Sequence, residues 1–179
     1  RGELVNFVGI LEKDEWPAES WTEQGSVQEC LRDFAGWHED VRALAGALSR
    51  PFLWALMVRE PMNNWTDGRV TLLGDAAHPT LPFLSQGAAM AIEDGYILAR
   101  CLDKYAGDPE HALKAYQDAR LERAARIVRG SADNLGRFHN PVLAQPEGAA
   151  AYVEREWSEA RVKERYDWIF SYNVDTAAI

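Results

Sequence analysis

Nowhere among the 13 glycines of this chain do two stand two residues apart. The Gly-x-Gly-x-x-Gly turn that cradles a dinucleotide pyrophosphate is therefore absent, together with the acidic residue that follows such a turn by about 20 positions. Cysteine is scarce too. Cys30 and Cys101 are the only two, they form no C-x-x-C pair, and they read as free buried thiols of a reducing compartment; a cytoplasmic location is the expectation. The 4 histidines are scattered, so no metal-ligand spacing appears and no metal is expected. Positive charge is in deficit, with 19 Lys and Arg against 28 Asp and Glu, a net charge of −9. Nucleic acid and anionic membranes both call for a positive field, so neither is expected as a main partner. No apolar run approaches the roughly 18 residues that suggest a membrane span. Nor is a signal peptide expected in this chain, because Arg1-Gly2-Glu3 runs directly into strand-like sequence. Arg1 is accordingly expected to be a cut rather than a natural start.

What is present suits a folded chain. The apolar fraction is 47% and the charged fraction 26%, ordinary for a soluble domain, and seven Trp supply core material. β-prone runs predict strands at 3–12, 52–59 and 69–73. Trp16, Pro17 and Trp21 fall in a loop after the first. Helical spacing of Leu31, Phe34 and Trp37, then of Val41, Leu44 and Leu48, predicts short helices at 26–36 and 38–48. A small-residue helix is expected from about Gly87 to Tyr105. A long one follows from Pro109, with proline in its first turn, to about Phe138, where Asn140-Pro141 ends it. A last helix spans 147–168. The fold class is α+β and α-rich: a few strands plus long C-terminal helices, with no N-terminal βαβ unit. The break near residue 62 separates 1–62 from 63–140, and 141–179 forms the closing helix and tail.

The chemistry concentrates in residues 69–94. A short buried strand exits sharply at Gly74, and Asp75 follows at once. In α/β folds, ligands sit beyond the carboxyl ends of strands; a carboxylate there accepts hydrogen bonds from sugar-type hydroxyls. A rigid loop with Pro79 and Pro82 leads to a helix that opens on Gly87, Ala88 and Ala89. Small residues leave the first N–H groups of that helix open to a ligand, at the positive end of its dipole.

The sequence Gly74-Asp75-Ala76-Ala77-His78-Pro79, then Pro82, Gln86-Gly87 and Glu93-Asp94, resembles the second FAD motif of the class A flavoprotein monooxygenases, the group of 4-hydroxybenzoate, 3-hydroxybenzoate and salicylate hydroxylases. The whole pattern runs over 21 residues, Gly74 to Asp94, and a bare Gly-Asp would not carry the resemblance. It extends more loosely to residues 1–11, to Trp65–Leu73 and to the closing Tyr166–Asn173. The resemblance implies the C-terminal part of an FAD/NAD(P)-binding monooxygenase fold. Residues 1–62 would be the last part of a substrate-binding domain, and 63–140 the last strand, motif loop and helices of the FAD-binding domain. Gly74 would make the turn, and Asp75 would bind a ribityl hydroxyl of FAD. Pro82 would line the flavin and the hydroxylation site, the one catalytic-lining residue implied. Gln86, Gly87, Ala88, Ala89 and Met90 would bring backbone N–H groups to the pyrimidine edge. His78 and Pro79 would shape the loop near the pyrophosphate. Many members have glycine where Ser85 stands and a polar residue where Ala89 stands.

The implied activity is hydroxylation of a phenol or aromatic acid with NAD(P)H and O2, by the complete protein, with this chain inactive alone. No general base can be named. A small aromatic substrate is the implied partner, and open strand edges predict self-association or strand exchange. Other readings remain: another FAD oxidoreductase or a halogenase of the same superfamily, a flavin-free module without activity, or, more remotely, a hydrolase built on Asp75, His78 and Ser85, for which no Gly-x-Ser-x-Gly elbow exists. Taken alone, Asp75 also reads as a turn residue. Arg120, Arg123, Arg126 and Arg129, interspersed with acids, read as a solvated helix face.

Overall fold

Helix starts in this chain follow cap chemistry. The computed structural model describes residues 4–13, 20 and 22–179 and divides into two compact units, Arg1–Leu56 and Met57–Ile179. In the first, α1 (Val27–Asp33) opens on Ser26, which accepts from the Glu29 N–H while the Glu29 side chain accepts from the Ser26 N–H, a reciprocal capping box. His38 caps α2 (Glu39–Gly46) by accepting from the Asp40 N–H. Phe34, 5% exposed, centres a small aromatic cluster with Phe7 and Trp37, at ring distances of 5.7 and 5.4 Å.

The expected strands of this unit shrink. Residues 4–13 form none, and Leu4 and Val5 are exposed. Of the run 52–59, one antiparallel bridge remains, between Gln24 and Phe52. Alternating apolar residues supply only half of what a strand needs; the other half is a hydrogen-bonded neighbour, and among the described residues that bridge is the only one these segments find. Trp16, Pro17 and Trp21 lie outside the described residues.

The second unit is built on two helices. α3 (Gly87–Lys104) and α4 (Pro109–Phe138) bury Met90, Ile97 and Cys101 against Ala112, Tyr116, Ala124 and Ile127, with Trp65 at the same core. Asp108 caps α4 by accepting from the His111 N–H, and Pro109 occupies its first turn. A small antiparallel hairpin, β1 (Thr66–Asp67) and β2 (Val70–Thr71), pairs Thr66 with Thr71 and Asp67 with Val70. It is shorter than the strand expected over 69–73. Buried Gln117 of α4 ties it down: its Oε1 accepts from the N–H groups of Trp65 and Thr66 at 2.6 and 2.9 Å.

The closing helix expected over 147–168 is two, α5 (Pro146–Glu156) and α6 (Glu159–Phe170). Ser158 breaks it with a non-helical ψ of 149°. The tail then folds back on α3, where Arg100 donates to the carbonyls of Val174 and Ala177 at 2.5 and 3.0 Å. Among the described residues no helix is long and apolar enough to cross a membrane.

Candidate functional site

Leu72 and Leu73 lead from the hairpin to Gly74, which has φ +58°, a backbone region where glycine alone is unstrained. Its carbonyl accepts from the N–H groups of Ala77 and His78, both at 2.9 Å. The loop turns tightly there and pushes Asp75 outward. Asp75 is exposed, and among the described residues no hydrogen bond or ion pair engages its carboxylate.

Behind the loop stands Asp94 of α3, fully buried. Its Oδ2 accepts from the Gly74 N–H at 3.0 Å and pairs with His78 Nε2 at 2.6 Å. Its Oδ1 accepts from Arg120 Nε at 2.8 Å. Arg120 reaches Glu93 at 2.7 Å, and Arg123 holds the same Glu93 with two nitrogens, at 2.8 and 2.7 Å. Burial pushes the Asp94 carboxyl up, but hydrogen bonds from His78, Arg120 and Gly74 outweigh it, and the group titrates below its ordinary value. Burial likewise works against the Arg120 charge, and Asp94 and Glu93 more than restore it. The expected solvated arginine face is thus corrected in part: Arg120 is fully buried and Arg123 largely so, while Arg126 and Arg129 are exposed. The signal was in the period, because Arg120 follows Leu113 and Tyr116 and precedes Ala124 and Ile127 on one apolar stripe.

The second wall is the segment 80–85. A 3₁₀ turn covers Pro82–Leu84, and Ser85 closes it in the left-handed region with φ 53°. α3 begins immediately. Gln86 stands at its cap without a side-chain capping bond, so the first N–H groups of the helix have no partner from that side chain. Asp75, Thr80, Leu81, Pro82, Ser85, Gly87, Ala88 and Ala91 surround one cleft of ≈ 480 Å³, a size usual for small-ligand sites of about 300–1,000 Å³.

Of the expected site residues, the structure brings Asp75, Pro82, Gly87 and Ala88 to this cleft. Gly74 and His78 are buried beneath the loop, and Met90 sits in the core. Gln86 and Ala89 are half-buried at the helix start. His78, 2% exposed, packs its ring against Trp65 at 5.3 Å. A larger cleft of ≈ 820 Å³ between α4 and α6 holds none of these positions, and its arginines, among them Arg126, Arg129 and Arg161, are interspersed with Glu122, Asp133 and Glu164. No group of His, Cys, Asp and Glu among the described residues is arranged to hold a metal.

A carboxylate acceptor, an uncapped helix start and a wall of small residues fit a ligand with hydroxyls at one end and a flat, anionic edge at the other. That is the donor and acceptor pattern of a flavin with its ribityl chain, and the smallness of Gly87, Ala88 and Ala91 leaves room for a ring to approach the backbone. Residues 12–131 match the family model described as FAD binding domain, and the chain belongs to that family. It is 37% identical to a 3-amino-4-hydroxybenzoate 2-monooxygenase of Streptomyces platensis, over 94% of this chain and 42% of that protein. A 6-hydroxynicotinate 3-monooxygenase of Bordetella bronchiseptica is also 37% identical, over 97% of this chain and 39% of its own length. Among solved structures, a salicylate hydroxylase substrate complex superposes with a TM-score of 0.72 at 30% identity, covering 91% of this chain and 39% of the other. The chain spans about two fifths of the length of the curated relatives it matches.

Proposed function

We propose that this chain supplies the flavin-facing part of an FAD-dependent monooxygenase that hydroxylates a phenolic or aromatic-acid substrate with NAD(P)H and O2. The observation that carries this reading is the convergence of Asp75, Pro82, Gly87 and Ala88 on one cleft in a chain of the FAD binding domain family. The hydroxybenzoate and hydroxynicotinate substrates named for the relatives support the substrate class.

When bound, the flavin supplies the electron transfer and oxygen activation that side chains lack. The residues of this chain bind and orient it. Asp75, free of protein partners, accepts from a ribityl hydroxyl. The N–H groups opening α3 at Gly87, Ala88 and Ala89 face the edge that becomes anionic on reduction, and the helix dipole adds to their effect. Pro82 packs against the ring and bounds the space where the aromatic substrate lies. Leu81 and Ala91 exclude water from the same wall. His78 acts from below, fixing the loop through Asp94. Residues 1–62 belong with the substrate-binding part, and 63–140 with the FAD-binding part. The free thiols of Cys30 and Cys101 support a reducing, cytoplasmic setting, and exposed apolar residues support self-association of the chain.

The test is the Asp75→Ala variant, titrated with FAD by flavin fluorescence beside the unaltered chain. Loss of a hydrogen bond to a charged acceptor is worth about 1.5–3 kcal/mol, so affinity should fall roughly ten- to a hundredfold. Equal affinities would reduce Asp75 to a turn residue. Activity is read as incorporation of isotopically labelled O2 into hydroxylated aromatic acids, using the protein as expressed from its gene with NAD(P)H.

A further inference from the structure

We propose that Ser131 and Asn134 of α4 are positioning residues that set the Pro82 wall of the cleft, and that α6 reaches the same wall through Tyr166. The proposal rests on the flavin reading above and deepens it.

Leu81, Phe83 and Leu84 anchor segment 80–85 by their side chains, but its backbone has few partners of its own. It joins no strand, Pro82 has no N–H, and its 3₁₀ turn is one residue from a left-handed Ser85. Two buried side chains of α4 supply what is missing. Ser131 Oγ, fully buried, donates to the Leu81 carbonyl at 2.5 Å. Asn134 Nδ2, on a residue 1% exposed, donates to the Phe83 carbonyl at 3.1 Å. The two bonds fall on either side of Pro82, and their donors stand three residues apart on one helix face. Between them and the loop, Gly130 leaves space that Leu84 fills: a Cβ at Gly130 would meet Leu84 Cδ1 at 3.3 Å.

The Asn134 amide has a fixed orientation. Arg137 Nη1 donates to its Oδ1 at 2.6 Å, and a guanidinium can only donate, so Nδ2 is the atom turned toward Phe83. The Tyr166 hydroxyl of α6 lies 3.3 Å from Nδ2 and 3.4 Å from Oδ1. Neither serine nor asparagine favours a helix interior, and within α4 only the Asn134 Oδ1 finds a partner, Arg137, while the donors of both side chains point away from it. Both bonds go to the loop. The position of Pro82 is therefore set from behind, by residues that do not line its cleft.

Asn134→Asp is the sharpest probe. It keeps the shape and the acceptor for Arg137 and removes the donor to Phe83. Ser131→Ala removes the other bond. Val128→Ala, in the same helix and buried but outside the clamp, reports plain destabilisation. Each variant of the full chain is followed by thermal melting, by amide hydrogen exchange across 80–87, and by FAD titration up to millimolar concentration with the visible spectrum of the bound flavin. The clamp variants should speed exchange across 80–87, weaken FAD binding about two- to tenfold, the worth of one hydrogen bond, and shift the bound-flavin spectrum; Val128→Ala should only lower the melting temperature. Clamp variants that behave like Val128→Ala would overturn the proposal and leave the flavin reading standing. So would faster exchange with unchanged FAD affinity and spectrum. An unaltered chain that binds no FAD at all would overturn the flavin reading, and the proposal with it.

Discussion

Ser85 holds a φ of 53° at a position where the resembling enzymes often have glycine. A non-glycine residue in that region is strained by roughly 1–2 kcal/mol, because Cβ crowds the carbonyl. Serine lessens the strain little, since its Oγ reaches the Pro82 carbonyl only at 3.5 Å. Ser85→Gly should therefore stabilise the chain by about 0.5–1 kcal/mol, the relief less the greater entropy glycine loses on folding. A melting temperature higher by about 1–4 °C would show it. Ser85→Val should act in the opposite sense, as a β-branched residue tolerates this backbone least. If glycine lowers stability, the left-handed turn is absent in solution. The sequence pattern located this position and left open why glycine is usual there; the backbone angle answers it. It also named Asp94 without a role. Nothing in a string of letters shows that one carboxylate of α3 receives Gly74 and His78 from the motif loop and Arg120 from α4 at once, because that convergence exists only after α3 and α4 pack.

At the scale of elements, that carboxylate joins the motif loop to both long helices. Removing Arg120 by Arg120→Ala would leave the buried Asp94 without its guanidinium partner and held only by Gly74 and His78, at a loss of about 3–5 kcal/mol, enough to unfold many domains. The acid response follows from the direction of the Asp94 shift. Its folded value lies below its ordinary one, so between the two the unfolded chain binds more protons, and stability rises with pH there. The contribution is present above the unfolded value, near 3.9, and fades as pH falls through the folded one. Denaturant midpoints should thus drop steeply below about pH 4, and less so in Asp94→Asn, which has no proton to take up. Parallel pH profiles for the two would exclude Asp94 as the origin. Element boundaries were legible where proline makes them: Pro109 at a first turn and Asn140-Pro141 as a stop. The break at Ser158 was missed because Trp157 and the residues beyond keep an apolar helical period through it. The strands were overread because propensity counts side chains, while pairing depends on a neighbour that propensity cannot see.

At the scale of the whole molecule, the proposed flavin site would be half represented in this sequence. The cleft of Asp75 and Gly87 would, on that proposal, address a ribityl chain and a ring, while the glycine turn that receives a pyrophosphate at a helix N-terminus has no counterpart among the 13 glycines. Apolar surface is abundant in each unit. Leu4, Val5 and Val8 are 94%, 71% and 67% exposed in the first; Val70, Ile92 and Phe170 are 68%, 74% and 77% exposed in the second. Exposed apolar residues near unpaired backbone invite a second copy. The 179-residue chain by itself should therefore bind FAD more weakly than about 1 µM and hydroxylate nothing. It should also grow in mean mass with concentration under light scattering, and added FAD should reverse little of that growth, since the ring-end contacts cover only the cleft. Flavin fluorescence followed over the same concentrations separates the two effects, because self-association through the cleft would compete with FAD, whereas association through Leu4–Val8 or Phe170 would leave its affinity unchanged. Tight, stoichiometric FAD binding by a monodisperse monomer would show that the chain completes its own cofactor site, and the division of labour inferred from Asp75 and the missing glycine turn would be wrong.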